Sequence, residues 1–148
     1  MKKPYDLRND PLFPIAILAA PVVWFALYLI IHPDIRWLWP LIYPGQFLWP
    51  VLFSPVVEEI LFRGILQEFI RDYFTEKFLG PLSLANLVTS LIFASLHFFF
   101  QPALWAALVF FPSLVFGHFK DRSGKLTGPI ILHAFYNAGF LWVFSAPG

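Results

Sequence analysis

The chain alternates long apolar segments with short polar ones, a pattern typical of membrane helices. The first apolar run covers residues 12–31 without interruption, and about 20 apolar residues are enough for a helix to cross the hydrocarbon core of a bilayer. Further segments of similar character predict an all-α, polytopic transmembrane helix bundle with about five spans. The predicted spans are residues 12–31, 46–74, 82–100, 103–119 and 127–146.

Two stretches are not expected to cross the bilayer. Residues 35–44 are short and contain two tryptophans and two prolines, which predicts an interfacial or re-entrant element held by its tryptophans. Residues 67–77, at the end of the second span, become amphipathic and should leave the membrane. The run 12–31 exceeds the roughly 7–15 apolar residues of a secretory signal, so we interpret it as a retained anchor, with a cleaved signal as the weaker alternative.

The composition supports a membrane protein and excludes several other classes. Of the 148 residues, 59% are hydrophobic and 13% are charged, whereas soluble domains carry about 25% charged residues. The formal net charge of +1 gives no reason to expect a nucleic-acid partner. Cysteine is absent, which excludes disulfides, thiolate catalysis and cysteine-ligated metals.

Basic residues are distributed unevenly between the predicted loops. If the N-terminus is cytoplasmic, five spans place most Lys and Arg side chains on the cytoplasmic side, as the positive-inside rule requires, and only Arg36 falls outside. The cytoplasmic set is Lys2, Lys3, Arg8, Arg71, Lys77, Lys120, Arg122 and Lys125. The distribution therefore predicts a cytoplasmic N-terminus and an external C-terminus.

Three charged residues interrupt the second span. Glu58, Glu59 and Arg63 lie within six residues of an apolar run, and each would cost about 2.5–3.5 kcal/mol at the bilayer centre if unpaired. Glu59 and Arg63 are four residues apart and share a helix face, so they can pair. Glu58 lies about 140° round the helix from Arg63. We therefore interpret Glu59 and Arg63 as a structural pair and Glu58 as a candidate general base.

Two later spans each carry a polar face. His97 ends a stripe that includes Phe93, Ser90, Asn86 and Ser83, all within about 40° of it in projection. In lipid, such faces must turn inward.

In the last span, His133 and Asn137 lie four residues apart and share a face. A single buried histidine usually makes a helix–helix hydrogen bond, and Phe93 is expected to pack on the ring of His97. One unpaired Glu, two His and one Asn on three facing helices nevertheless indicate a functional site.

Three ordered motifs resemble a known family. EEILFR (58–63), FASLH (93–97) and HAFYN (133–137) are similar to the E-E-x-x-x-R, F-x-x-x-H and H-x-x-x-N/D motifs of the CAAX-protease and bacteriocin-processing (CPBP) intramembrane proteases. The resemblance covers about residues 46–146 and implies a four-helix catalytic core. It divides the chain into an N-terminal anchor helix with an interfacial segment, 1–45, and a protease core, 46–148.

The resemblance also implies residue roles. Glu58 matches the catalytic glutamate, and His97 matches the histidine that helps it to activate water. His133 and Asn137 match the pair that lines the site and stabilises the oxyanion. Structural support of the site is expected from Glu59, Arg63 and Phe93. No metal or other cofactor is expected, and the alternative is zinc held by Glu58, His97 and His133.

The resulting hypothesis is a multi-pass intramembrane endopeptidase of the cytoplasmic (inner) membrane. Its expected partners are the lipid bilayer and a membrane-anchored protein or peptide substrate, such as a C-terminal sorting or anchor segment; the sequence leaves the oligomeric state open. One alternative is a non-catalytic immunity or partner-binding protein with the same fold. Another is a proton or small-solute pathway, which the lack of further charged residues along a path disfavours.

Overall fold

A computed structural model describes residues 6–74 and 78–145, apart from the side chains of Arg8, Phe74 and Phe78. Lys2, Lys3 and Lys77, which entered the topology prediction, lie outside the described residues. The same holds for residue 146, the predicted end of the last span. The described chain is all-α apart from one short antiparallel pair of strands.

The helices follow the apolar segments in order. They are α1 (Leu12–Ile31), α2 (Trp39–Ile42), α3 (Pro44–Leu48), α4 (Ser54–Glu59), α5 (Gln67–Phe74), α6 (Leu84–His97), α7 (Ala103–Leu108), α8 (Phe110–Ser123) and α9 (Thr127–Phe144), with a 3₁₀ turn at Leu7–Asn9. The strands are β1 (Phe78–Leu79) and β2 (Leu82–Ser83). The all-α fold is thereby confirmed.

Two described helices are long and apolar enough to cross a membrane. They are Leu12–Ile31 and Ala103–Ser123, the latter combining α7 and α8. Helix α6 has 14 residues, about 21 Å of helix, and is shorter than the predicted span 82–100. The five spans and the four-helix core therefore remain predictions.

Residues 44–74 form one continuous helix that contains two π-helical segments. Helices α3, α4 and α5 are joined by two π-helical segments, Trp49–Phe53 and Ile60–Leu66; we call the whole the composite helix. Pro50 and Pro55 lie inside it, and neither can donate an N–H to the preceding turn. Such missing donors are a common cause of local changes in winding. The composite helix is thus less regular than the single span predicted from the sequence.

The N-terminal anchor helix α1 packs against α9. Ala16 and Ala20 are its buried residues, and the hydroxyl of Tyr136 donates a 2.7 Å hydrogen bond to the carbonyl of Ala16. The ring of Trp24 covers Gly139, where a Cβ would overlap it. The anchor therefore contacts the helix that carries His133, and the boundary between residues 45 and 46 stays a prediction.

Two tryptophans tie the end of α9 to the segment before the composite helix. The Trp39 indole donates to the carbonyl of Trp142 at 3.1 Å, and the Trp142 indole donates to the carbonyl of Trp37 at 3.0 Å. Trp37 is 65% exposed, as expected of an interfacial residue, whereas Trp39 is 3% exposed. The interfacial role expected of both was therefore wrong for Trp39, because its ring packs against Phe47 and its N–H is used inside the protein.

The polar stripe predicted on α6 faces α8. The Asn86 amide donates to the carbonyl of Leu114 at 2.9 Å and accepts from the Ser90 hydroxyl at 3.1 Å. Nearby, Gln67 donates to the carbonyl of Gly117 at 3.2 Å and to the Asp121 carboxylate at 2.7 Å. Asn86 and Ser90 are fully buried, so the inward orientation of this stripe is confirmed.

Replacing Gly117 with alanine is expected to destabilise the bundle. A Cβ there would overlap the Asn86 side chain, and overpacking of a tight core costs about 1–3 kcal/mol. Displacing Asn86 would also break its buried hydrogen bonds. Thermal unfolding in detergent should show a clear fall in Tm, whereas Gly45→Ala, where a Cβ meets no atom within 4 Å, is the matched control. Equal Tm values for the two variants would contradict this packing.

An ion pair joins the amphipathic end of the composite helix to α8. The Lys120 ammonium contacts Glu68 and also donates to the carbonyl of Gly124 at 3.0 Å. The hydrogen bond from Lys120 to Glu68 holds the pKa of the Glu68 carboxyl below its usual value, and the charge of Arg71 makes a smaller contribution. In the predicted topology, this pair lies at the cytoplasmic interface.

Stability should therefore depend on the charge of Glu68 in acid. Because the folded-state pKa is lowered, the stabilisation is present above about pH 4.3, the pKa of an unfolded glutamate, and is lost as the pH falls through the folded value. Glu68→Gln should lower Tm slightly at pH 7, because a partly exposed ion pair contributes less than about 1 kcal/mol to the free energy of unfolding. The difference in Tm between wild type and Glu68→Gln should vanish near pH 3. Measurements of Tm at a series of pH values check this result. Asp72→Asn, at a carboxylate that is 80% exposed, is the control, and an unchanged difference at low pH would refute the pairing.

Candidate active site

Glu59 and Arg63 form a fully buried ion pair in the composite helix. The Arg63 Nε atom lies 3.3 Å from Glu59 Oε2, and both side chains are 0% exposed. The Arg63 guanidinium also donates to the carbonyl and the hydroxyl of Ser113 at 2.9 and 2.6 Å. The pairing predicted from the four-residue spacing is therefore present, and α8 supplies further acceptors for the cation.

His133 connects this buried pair to Glu58. Its Nδ1 lies 2.8 Å from Glu59 Oε1, and its Nε2 lies 3.8 Å from Glu58 Oε2. A carboxylate paired with arginine is an acceptor, so Nδ1 carries a proton and donates it. The ring stacks on Phe116 at a centroid distance of 4.8 Å. The composite helix and α8 thus set the orientation of His133, and Nε2 is directed at Glu58.

Glu58 occupies a different environment from its neighbour. Its side chain is 26% exposed, and its Oε1 accepts a 2.5 Å hydrogen bond from the Ser54 hydroxyl. Oε2 faces His133 and accepts no hydrogen bond from another described residue. The sequence suggested His97 as the partner of Glu58, but among the ion pairs of the described residues the partner is His133. This pairing depends on the packing of α9 against the composite helix, which residue spacing along a single helix does not reveal.

His97 packs against the Phe93 ring. Its Nδ1 donates to the carbonyl of Phe93 at 2.8 Å, since a carbonyl oxygen only accepts, and this leaves Nε2 without a proton in the neutral ring. The Phe93 ring lies 4.5 Å from that of His97 and 6.0 Å from that of His133, and it is covered by the Arg63 guanidinium at 4.9 Å. The expected packing of Phe93 on His97 is confirmed. The rings of both histidines therefore border the same aromatic ring.

Asn137 also faces the composite helix. Its amide donates to the carbonyl of Pro50 at 2.8 Å, inside the first π-helical segment. One of its two N–H groups is therefore used by the protein, and the second is left for another acceptor. His133 and Asn137 both contact the composite helix, as their four-residue spacing predicted.

The described residues contain no group of three His, Asp or Glu side chains placed to hold a metal ion. Glu58 and His133 approach each other to 3.8 Å, but His97 does not join them in a group of three possible ligands. The zinc set of Glu58, His97 and His133 does not fit this arrangement, and no catalytic step is derived through a metal.

Three residues of the site were not found from the sequence. Ser54 lies four residues before Glu58, a spacing that could have revealed the contact. Ser113 and Phe116 lie in α8, whose residues 110–119 read as an ordinary apolar segment. No pattern in the sequence marks them, because their partners lie on other helices: Arg63 is 50 residues before Ser113, and His133 is on α9.

Comparison with known proteins places this site in a family. A family model described as type II CAAX prenyl endopeptidase Rce1-like matches residues 37–139, a range that contains every predicted site residue and leaves α1 outside. An Escherichia coli protein described as an uncharacterized 24.3 kDa protein is 34% identical over 82 residues, which are 55% of this chain and 36% of that protein. The chain thus spans about a third of the length of this relative, and no solved structure matches significantly.

The match covers more than half of the chain and confirms the resemblance seen in the three motifs. It also places the apolar helices in a family of membrane proteins. Glu58, His97 and His133 all fall inside the matched range. The chain belongs to the Rce1-like family of type II CAAX prenyl endopeptidases.

Proposed function

We propose that the protein is an intramembrane endopeptidase in which Glu58 activates a water molecule. The observation that carries the proposal is the contrast between two adjacent carboxylates that share one histidine. Glu59 is fully buried, paired with Arg63 and hydrogen-bonded to His133. Glu58 is partly exposed, and its Oε2 faces the other nitrogen of the same ring. Glu59 thus fixes the His133 ring, and Glu58 is available to act as the general base.

The first step is proton abstraction from water. In this step, a water molecule would bridge Glu58 Oε2 and His133 Nε2, whose 3.8 Å separation allows hydrogen bonds of about 2.8 Å to both atoms. Glu58 takes one proton, and the oxygen forms a bond to the scissile carbonyl carbon, whose π electrons move to its oxygen. His97, through Nε2, orients the water or the carbonyl. Burial of the site strengthens these interactions by excluding bulk water.

The second step is collapse of the tetrahedral intermediate. The oxyanion accepts from the free N–H of Asn137 and, when its ring is protonated, from His133 Nε2. The C–N bond then breaks, and Glu58 returns its proton to the leaving amine, which restores the starting carboxylate. Glu59 and Arg63 act indirectly, by holding the His133 ring in place.

The proposed substrate is a membrane-anchored protein or peptide. The family is described as one of prenyl endopeptidases, and the predicted bundle would hold Glu58 and His133 within the membrane. We propose a multi-pass protein of the cytoplasmic membrane, with five spans and a four-helix core, that cuts a peptide bond near a membrane anchor. A C-terminal sorting or anchor segment has this character.

The test compares membranes that contain wild type or Glu58→Gln protein at equal abundance. Mass spectrometry of protein termini should find new termini in membrane-associated proteins with wild type and not with Glu58→Gln. Treatment with a chelator should leave the set of termini unchanged. Identical termini with both proteins, when both are folded, would refute the proposal and favour a non-catalytic binding role.

A further inference from the structure

The two oxygens of Glu58 have different surroundings. Oε1 accepts a hydrogen bond from the Ser54 hydroxyl, and hydrogen bonds to a charged carboxylate are stronger than those between neutral groups. Oε2 points to His133 Nε2 at 3.8 Å and receives no hydrogen bond from another described residue. The serine contact therefore distinguishes one oxygen from the other.

The local fold fixes the place of Ser54. It is the first residue of α4, directly after the π-helical segment Trp49–Phe53, and it precedes the buried Pro55. The four-residue spacing stacks its hydroxyl on the Glu58 side chain, one turn further along. A serine hydroxyl inside a helix commonly bonds to the carbonyl of the preceding turn, as Ser95 does with Leu91 at 2.7 Å. Ser54 instead donates forward, to a side chain.

We propose that Ser54 is a positioning residue for the general base. It holds Oε1, so that Oε2 stays directed toward His133 and the water site between them. This inference rests on the proposed function, because it assigns Ser54 a part in the action of Glu58. Ser54 itself forms no bond to the substrate, since its proton stays in the hydrogen bond to Glu58 throughout the cycle.

The experiment measures the rate at which the wild-type-specific protein termini appear in membranes. Ser54→Ala should lower this rate by about tenfold to a hundredfold, the value of a hydrogen bond to a charged group, and should keep more activity than Glu58→Gln. Ser54→Thr, which retains the hydroxyl, should stay within about threefold of wild type. Ser95→Ala, which removes a serine hydroxyl from an exposed site of α6, is the matched control and should be unaffected.

A double variant tests whether Ser54 acts through Glu58. In the Glu58→Gln background, Ser54→Ala should cause no further loss, because the group that it positions is gone. An equal fractional loss in both backgrounds would overturn the proposal, and so would equal losses in Ser54→Ala and Ser54→Thr. A loss in Ser54→Ala as large as that in Glu58→Gln would also overturn it and would point to a serine nucleophile.

A spectroscopic measurement separates this inference from the proposed function. The infrared carboxylate band that Glu58→Gln removes should shift in Ser54→Ala and stay near its wild-type position in Ser54→Thr. If the termini show that Glu58→Gln matches wild type, the proposed function fails whatever the infrared result. If Glu58→Gln is inactive but Ser54→Ala changes neither the rate nor the band, the positioning role alone fails.

Discussion

Glu58→Gln is expected to lower the rate of cleavage by about 10²–10⁴-fold while leaving the fold intact. Glutamine has nearly the same shape and can still accept from Ser54, but it cannot take a proton from water. The Glu58 side chain is 26% exposed and makes no pair with Arg63 among the described ion pairs, so losing its charge leaves no buried cation alone. Activity and stability should therefore separate at this residue.

The measurement pairs a cleavage rate with a thermal unfolding curve for each variant. Glu68→Gln, which neutralises a carboxylate at the far end of the composite helix, is the control for loss of one negative charge and should cleave at the wild-type rate. A Glu58→Gln protein that cleaves normally would remove Glu58 from the mechanism. One that fails to fold would show that Glu58 is structural.

Arg63→Met should destabilise the protein by about 3–5 kcal/mol, the cost of removing one partner of a buried ion pair. Glu59 would remain fully buried, with His133 as its remaining donor. The Ser113 carbonyl and hydroxyl would also lose the guanidinium, and Phe93 and Phe116 would lose the cation that covers their rings. The resulting loss is therefore larger than a surface arginine could produce.

The decisive comparison is between the single variant and the double variant Arg63→Met, Glu59→Gln. Removing both charges eliminates the unpaired carboxylate, so the double variant should be more stable than Arg63→Met alone. Denaturant unfolding in detergent measures both, and Arg71→Met, at a partly exposed arginine, should cost less than about 1 kcal/mol. Equal stabilities of the single and double variants would show that Glu59 is not the group that Arg63 neutralises.

Side-chain spacing along single helices was enough to predict much of the site. The positions of Glu59 and Arg63, of Phe93 and His97, and of His133 and Asn137 each place two groups on one helix face, and the structure shows the members of each pair in contact or facing the same helix. Family motifs added the expectation that the three faces meet.

Contacts between helices were less predictable. The pairing of Glu58 with His133 depends on how α9 packs against the composite helix. The composite helix is also π-helical after Glu59, so its residues do not follow the regular 100° per residue assumed from the sequence. Helix α6 ends at His97, although Phe98, Phe99 and Phe100 continue the apolar pattern from which the span 82–100 was predicted.

Because Glu58 and Glu59 share His133, the proposed catalytic site can form only late in the assembly of the helices. The bond of His133 to Glu59 closes a loop of 74 residues, and the bonds of Arg63 to Ser113 close one of 50. Contacts so distant in sequence carry a high closure entropy and form only when separate helices have come together. A nascent or partly inserted chain, in which α9 has not yet docked, lacks the oriented imidazole. The proposed hydrolytic centre would therefore form only once α9 has docked on the composite helix.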